Sequence, residues 1–289
     1  MWFLTLASLC ITVAASPAVV AGKRPAAKLD LSMLTEAQRS IFDRVSASEF
    51  CNCQSPLTVA GCLEMRPNCK IASHVAGIIK RGVQANVTAD ELMAFLSSSV
   101  MGPFCAPGKS INVSGAPSEG PPTAPVTLVE FADFRCPHCQ KAAPIVHQAL
   151  DHLSKRYPHK VMFVFVPFPL QNHPLSLNAA QAALAADAQG KFRPMHDALM
   201  AHPTGDFETP VLLQLAQKAG LDTKRFAKDL QDGRFLDNVR SLKDLGAQVG
   251  IESTPAFFIN GRRFEFDPTL MSIEDRVEME LDRELGNCQ

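Results

Sequence analysis

The chain has 289 residues, with 28 Lys and Arg against 29 Asp and Glu and a net charge of −1. No basic block or stripe stands out, which excludes nucleic acid and an anionic membrane surface as implied partners. With 46% hydrophobic residues the chain can bury a sizeable core, in one large domain or two smaller ones.

Met1 to Ala15 forms an uncharged apolar run, followed by small residues ending Val19-Val20-Ala21. This reads as a secretory signal peptide over residues 1–21, cleaved before Gly22. No Lys or Arg precedes the apolar stretch, so retention as an anchor is the alternative reading. Cleavage leaves eight cysteines: Cys51, Cys53, Cys62, Cys69, Cys105, Cys136, Cys139 and Cys288. In an exported chain that number reads as disulfides, and the expected location is the periplasm or the secreted space.

Residues 22–105 read as a small cysteine-rich helical domain. Apolar residues recur at helical spacing from Thr35 to Val45, and Ile71, Val75, Ile78 and Ile79 share one side of a second helix. Thr88-Ala89-Asp90-Glu91 then has the form of a capping box that opens a third helix through Leu92, Phe95 and Leu96. A C-x-C pair bridges itself awkwardly, so Cys51 and Cys53 are expected to reach Cys62 and Cys69, with Cys105 pairing with Cys288. Structural disulfides, a soft-metal site and a second exchange centre all remain open for these sulfurs.

Five prolines and three glycines between Ala106 and Pro125 mark residues 106–122 as a linker or an extended lead-in strand. Residues 123–289 read as α/β. Val126–Phe131 is strand-like, a helical stretch runs through Ile145, Leu150 and Leu153, and Val161–Val166 is a strand buried on both faces. Helical stretches follow at Ala179–Ala188, Pro210–Lys218, Lys224–Leu230 and Phe235–Gln248. Ala256–Ile259, Asn260-Gly261 and Arg262–Phe266 form a hairpin with a tight turn, and a helix closes the chain.

Between the first strand and its helix stands Cys136-Pro137-His138-Cys139. A cysteine at a helix start faces free backbone N–H groups and the positive end of the helix dipole, which favours the thiolate that carries out disulfide exchange. Pro137 suits the first helical position because its missing N–H has no helical partner to lose. His138 and Arg135 add cationic character, and Cys139, one turn on, is the resolving thiol. A zinc site needs a second ligand pair that this segment lacks, and a structural bridge over so small a loop gains little chain entropy. No metal or cofactor is expected.

The stretch Val126-Thr127-Leu128-Val129-Glu130-Phe131-Ala132-Asp133-Phe134-Arg135-Cys136-Pro137-His138-Cys139 resembles the active-site strand and turn of the DsbA-like thioredoxin family. Similar blocks recur in order at Gly120–Pro125, Pro167–Pro174, Gly190–Phe192 and Gly250–Gly261, so the resemblance covers about residues 115–289. It implies a thioredoxin fold with an inserted helical domain, acting on cysteine-containing exported proteins and restored by a redox partner. It further implies a cis peptide at Thr254-Pro255 that presents the Thr254 backbone to an extended substrate, and a buried acid, Glu130, that relays the proton of Cys139. His173 reads as structural. About residues 45–105 are similar to the three-helix thiol domain of CcmH-type cytochrome c maturation proteins, which carry C-x-x-C where this chain has C-x-C and extra cysteines.

The implied function is dithiol oxidation. Thr254 before the proline leaves isomerase and reductase readings open, including reduction of apocytochrome thiols. A metal-binding or thiol-handing module built on the N-terminal cysteines is the alternative from another class.

Overall fold

The computed structural model describes residues 29–51, 55–66, 69–202, 206–265 and 271–284. The expected leader at 1–21, Cys53 and Cys288 lie outside the described residues, and with them the pairings drawn for those two cysteines.

The N-terminal part is helical: α1 (Glu36–Ser48), α2 (Val59–Met65), α3 (Lys70–Gln84), α4 (Ala89–Phe95), a π-helical stretch at Leu96–Met101 and α5 (Gly102–Cys105). Reciprocal capping boxes open two of them, Thr35 with Gln38 at α1 and Thr88 with Glu91 at α4. They satisfy helix-end N–H groups that would otherwise lack partners. Ile71, Val75, Ile78 and Ile79 form the buried face of α3. Cys51 and Cys62 are joined in a disulfide, and both are fully buried. Cys69 and Cys105 are also disulfide-bonded. Sulfurs held in disulfides are not thiolate ligands, which removes Cys51, Cys62 and Cys69 from the soft-metal reading.

The remainder runs β1 (Ser118–Glu119), β2 (Val126–Ala132), α6 (Pro137–Arg156), β3 (Val161–Pro167), α7 (Ser176–Asp187), α8 (Phe192–Met200), α9 (Thr209–Lys218), α10 (Thr223–Gln231), α11 (Leu236–Val249), β4 (Ala256–Ile259), β5 (Arg262–Phe264) and α12 (Ile273–Glu284). The sheet order is β1-β3-β2-β4-β5. Strands β2 and β3 are parallel, while β1, β4 and β5 join antiparallel. This is a thioredoxin-like fold with helices α7 to α11 between β3 and β4.

The pleat sends alternate residues to opposite faces of the sheet. Leu128, Phe163, Phe165, Phe257 and Ile259 pack with α6, α12 and the N-terminal helices in one contiguous cluster. Val129, Phe131, Val164, Val166 and Phe258 pack with α11 on the other face. Residues 106–109 are held against the β4–β5 turn, while Ser118–Glu119 form β1 at the opposite edge of the sheet. The Lys109 N–H donates to the Gly261 carbonyl at 2.9 Å, and Arg262 Nε donates to the Ala106 carbonyl at 2.8 Å. The Asn260-Gly261 turn has positive φ at both residues. A Cβ on Gly261 would lie 1.9 Å from the Lys109 carbonyl oxygen, so only glycine fits there.

Helix α12 is gripped from two sides. From α3, Arg81 pairs with Asp275 at 2.6 Å, and His74 lies 3.6 Å from Asp275 and 3.4 Å from Glu278. From α6, His152 meets Glu274 at 2.9 Å and Arg156 pairs with Glu278.

Candidate active site

Strand β2 ends at Ala132, and the short turn Asp133–Arg135 delivers Cys136 to the start of α6. Cys136 is the N-cap residue with extended backbone (φ −71°, ψ 120°), Pro137 occupies the first helical turn, and Cys139 follows within it. Both cysteines are free thiols. Cys136 is 5% exposed and Cys139 is fully buried.

Their environments drive the two thiols apart. A hydrogen bond from the Cys139 thiol, foremost, holds the Cys136 thiol at about 4 against the opposing effect of burial. The Thr254 side chain and the backbone N–H groups of Cys139 and His138 add to it. Burial pushes Cys139 well above an ordinary thiol, and the neighbouring Cys136 sulfur adds to that. One cysteine is thus poised as thiolate and the other keeps its proton.

The Thr254-Pro255 peptide is cis, and as a thiol Cys136 donates to the Thr254 carbonyl oxygen at 3.3 Å. The Thr254 side chain is buried. Pro137 and His138 are exposed, so His138 supports the sulfur through its backbone N–H. The Arg135 guanidinium is turned to the Pro174 carbonyl oxygen at 3.0 Å.

Glu130 lies on β2, paired with Phe165 of β3 and Phe257 of β4. It is 1% exposed, and neither carboxyl oxygen has a hydrogen-bond partner. Burial pushes its pKa up to about 8, so the carboxyl is protonated at neutral pH.

Asp133 is a residue that the sequence reading passed over. Its backbone N–H donates to the Cys139 sulfur at 3.5 Å. Its buried carboxylate accepts from the Arg135 and Leu170 N–H groups, each at 2.7 Å, and from the Ser176 hydroxyl. The same carboxylate meets His173 Nδ1 at 3.1 Å, which gives His173 its structural place. A carboxylate three residues ahead of the first cysteine, at the end of an apolar strand, is the sequence signal that marks it.

A family model described as thioredoxin matches residues 113–278, more than half of the chain. Among curated proteins, the Na(+)/H(+) antiporter NhaA 3 of Salinispora tropica is 42% identical over 146 residues, which are 50% of this chain and 21% of the antiporter. The NhaA 1 antiporter of Mycobacterium sp. strain KMS is 36% identical over 147 residues, 50% of this chain and 23% of that protein. The matched region therefore spans only about a fifth of these relatives' own length. Among solved structures, oxidised BdbD from Bacillus subtilis superposes with a TM-score of 0.51 at 24% identity, covering 63% of this chain and 98% of that one. DsbA of Chlamydia trachomatis gives 0.50 at 20% identity, over 63% and 97%. Likeness at these identities is one of fold, and the Cys136–Cys139 geometry supplies the chemistry. The chain therefore belongs to the thioredoxin family, built on the fold of the DsbA-type thiol-disulfide oxidoreductases.

Proposed function

We propose that this protein is an exported dithiol oxidase that passes its Cys136–Cys139 disulfide to cysteine pairs in other exported proteins. The observation that carries the reading is the Cys136 sulfur at the N-cap of α6, beside the Cys139 thiol and the backbone N–H groups of Cys139 and His138, which together lower its pKa to about 4. A stabilised thiolate favours the reduced enzyme, and so makes the disulfide form a strong oxidant and Cys136 a good leaving group. The leader-like N-terminus and the disulfide-bonded Cys51, Cys62, Cys69 and Cys105 support action in an oxidising compartment.

In the proposed cycle a substrate thiolate attacks the Cys136 sulfur. The Cys136–Cys139 bond breaks, Cys139 leaves and takes up a proton, and a mixed disulfide forms. A second substrate thiolate attacks the substrate sulfur of that mixed disulfide and expels Cys136 as thiolate. Two electrons pass to the enzyme, one substrate proton ends on Cys139, and the other goes to solvent. A partner disulfide then takes the two electrons back. Glu130, protonated at neutral pH, is the proposed proton donor to Cys139. The backbone at Thr254 is the proposed edge against which an extended substrate aligns.

Replacement of Cys139 by Ala tests this reading, because it removes the neighbouring thiol that would otherwise attack Cys136 in the mixed disulfide and release the bound substrate. The expected result is accumulation of exported proteins joined to Cys136 through bonds that a reductant releases. Capture of nothing at Cys136 would overturn the assignment. Capture followed by net reduction of substrate disulfides would assign the opposite direction.

A further inference from the structure

His147 on α6 and His196 with Asp197 on α8 form a second cluster of chemically competent side chains, which the redox cycle does not use. His147 Nδ1 lies 2.8 Å from Asp197 Oδ1, and His196 Nδ1 lies 3.2 Å from the same oxygen. The two imidazole rings are 4.7 Å apart. One ligand atom from each of the three residues falls within 4.8 Å of the others.

We propose that these three residues form a site for a divalent transition-metal ion of the zinc type, bound by two imidazoles and one carboxylate. Ligand atoms around a four-coordinate zinc at about 2.0–2.1 Å stand roughly 3.3 Å apart. The two Nδ1–Oδ1 separations are therefore close to those of a closed-up site. Imidazole and carboxylate donors with no sulfur suit zinc and its divalent neighbours over Cu(I).

The outer nitrogens, His147 Nε2 and His196 Nε2, are buried without a polar partner, and the rings are packed by Phe134, Phe163, Phe165 and Phe192. With the rings so packed, both inner nitrogens are held facing the Asp197 carboxylate. The Asp197 side chain is 54% exposed, which gives an ion a route in and leaves a coordination position for water.

A bound ion would tie α6, the helix that carries Cys139, to α8 among the inserted helices. His196 also packs edge-on against Phe134 of the active-site turn, with ring centroids 5.7 Å apart. The site therefore stiffens the support on which Cys136 is mounted.

The test uses full-length protein with Cys136 and Cys139 oxidised, so that neither thiol can bind metal. Zn(II) is titrated by calorimetry, and Co(II) is followed by its visible absorption. The expected result is one ion per chain, with binding weakened by about tenfold or more in both His147→Gln and Asp197→Asn. Zinc should raise the melting temperature of the unsubstituted protein and not that of Asp197→Asn, whose half-exposed position makes a folding failure of the variant a minor concern. Absence of stoichiometric binding, or binding that survives both substitutions, overturns the proposal and leaves the cluster as a buried hydrogen-bond network.

Discussion

The backbone N–H of Asp133 donates to the sulfur of Cys139 at 3.5 Å, while the Asp133 carboxylate fastens the segment after β3 to the active-site turn. The resolving thiol is thus held by a residue whose own position depends on four other groups. Asp133→Ala removes every acceptor from that buried point. It is expected to cost about 3 kcal/mol, since each stranded donor carries its own desolvation penalty. Asp133→Asn, which keeps one acceptor oxygen, should cost less. Urea unfolding of the oxidised protein reads both values, and an Ala variant as stable as the parent would remove Asp133 from this role.

The supports of the Cys136 thiolate are ranked, and the ranking is measurable. The Cys139 thiol is the largest and the Thr254 side chain is smaller. Cys139→Ala is therefore expected to raise the Cys136 pKa more than Thr254→Val does, with both above about 4. The pH dependence of alkylation at Cys136 orders the three proteins. An unchanged value in Cys139→Ala would show that backbone N–H groups and the helix dipole act alone.

Glu130 predicts a pH-dependent stability. Its pKa in the folded state, about 8, lies above the unfolded value of 4.5. Between those values the folded state binds more protons, so the Glu130 contribution is fully present below pH 4.5 and is lost as pH rises through about 8. Glu130→Gln removes this dependence. Its stability advantage over the parent is expected to grow by about 3 kcal/mol between pH 5 and pH 8. Denaturant unfolding at the two pH values measures it, and a constant difference would place the carboxyl in a more polar setting.

Where the N-terminal helices meet α12, Arg276 is fully buried and pairs with the equally buried Glu280 at 2.7 Å. Arg262 and Arg283 lie 3.5 and 3.7 Å from the same carboxylate. The Arg276 and Arg283 guanidinium groups also lie against the Phe104 ring, 4.7 and 3.7 Å from its centre. Glu280→Gln leaves three arginines without their shared counter-charge and is expected to cost about 3–5 kcal/mol. Thermal unfolding checks this, and a loss below about 1 kcal/mol would contradict it.

The features legible in the sequence were those fixed by neighbours in the chain. The Thr88–Glu91 capping box, the β2 and β3 strands, the Asn260-Gly261 turn and the placement of Cys136 at a helix start all depend on residues a few positions apart. Helix α2 escaped notice because seven residues are too few to display a period. Helix α8 buries Phe192, Met195, His196, Leu199 and Met200 at helical spacing, but a histidine in the stripe and Pro194 in its first turn disguise it. The roles of Asp133 and Glu280 come from partners distant in sequence, which no local pattern reports. Arg135 and His138 look like cations beside the sulfur in one dimension. In the fold the first is turned to Pro174 and the second acts through its backbone.

The ionisation of Cys136 tests the central claim most directly. Thiolate absorbance of the reduced protein, measured against the oxidised protein across pH, should show one cysteine titrating with a midpoint near 4. A second transition should appear only at alkaline pH, where Cys139 loses its proton. A pair of cysteines that both stay protonated until the ordinary thiol range, about 8.5, would contradict the account of Cys136 as a poised thiolate and of this protein as an oxidase.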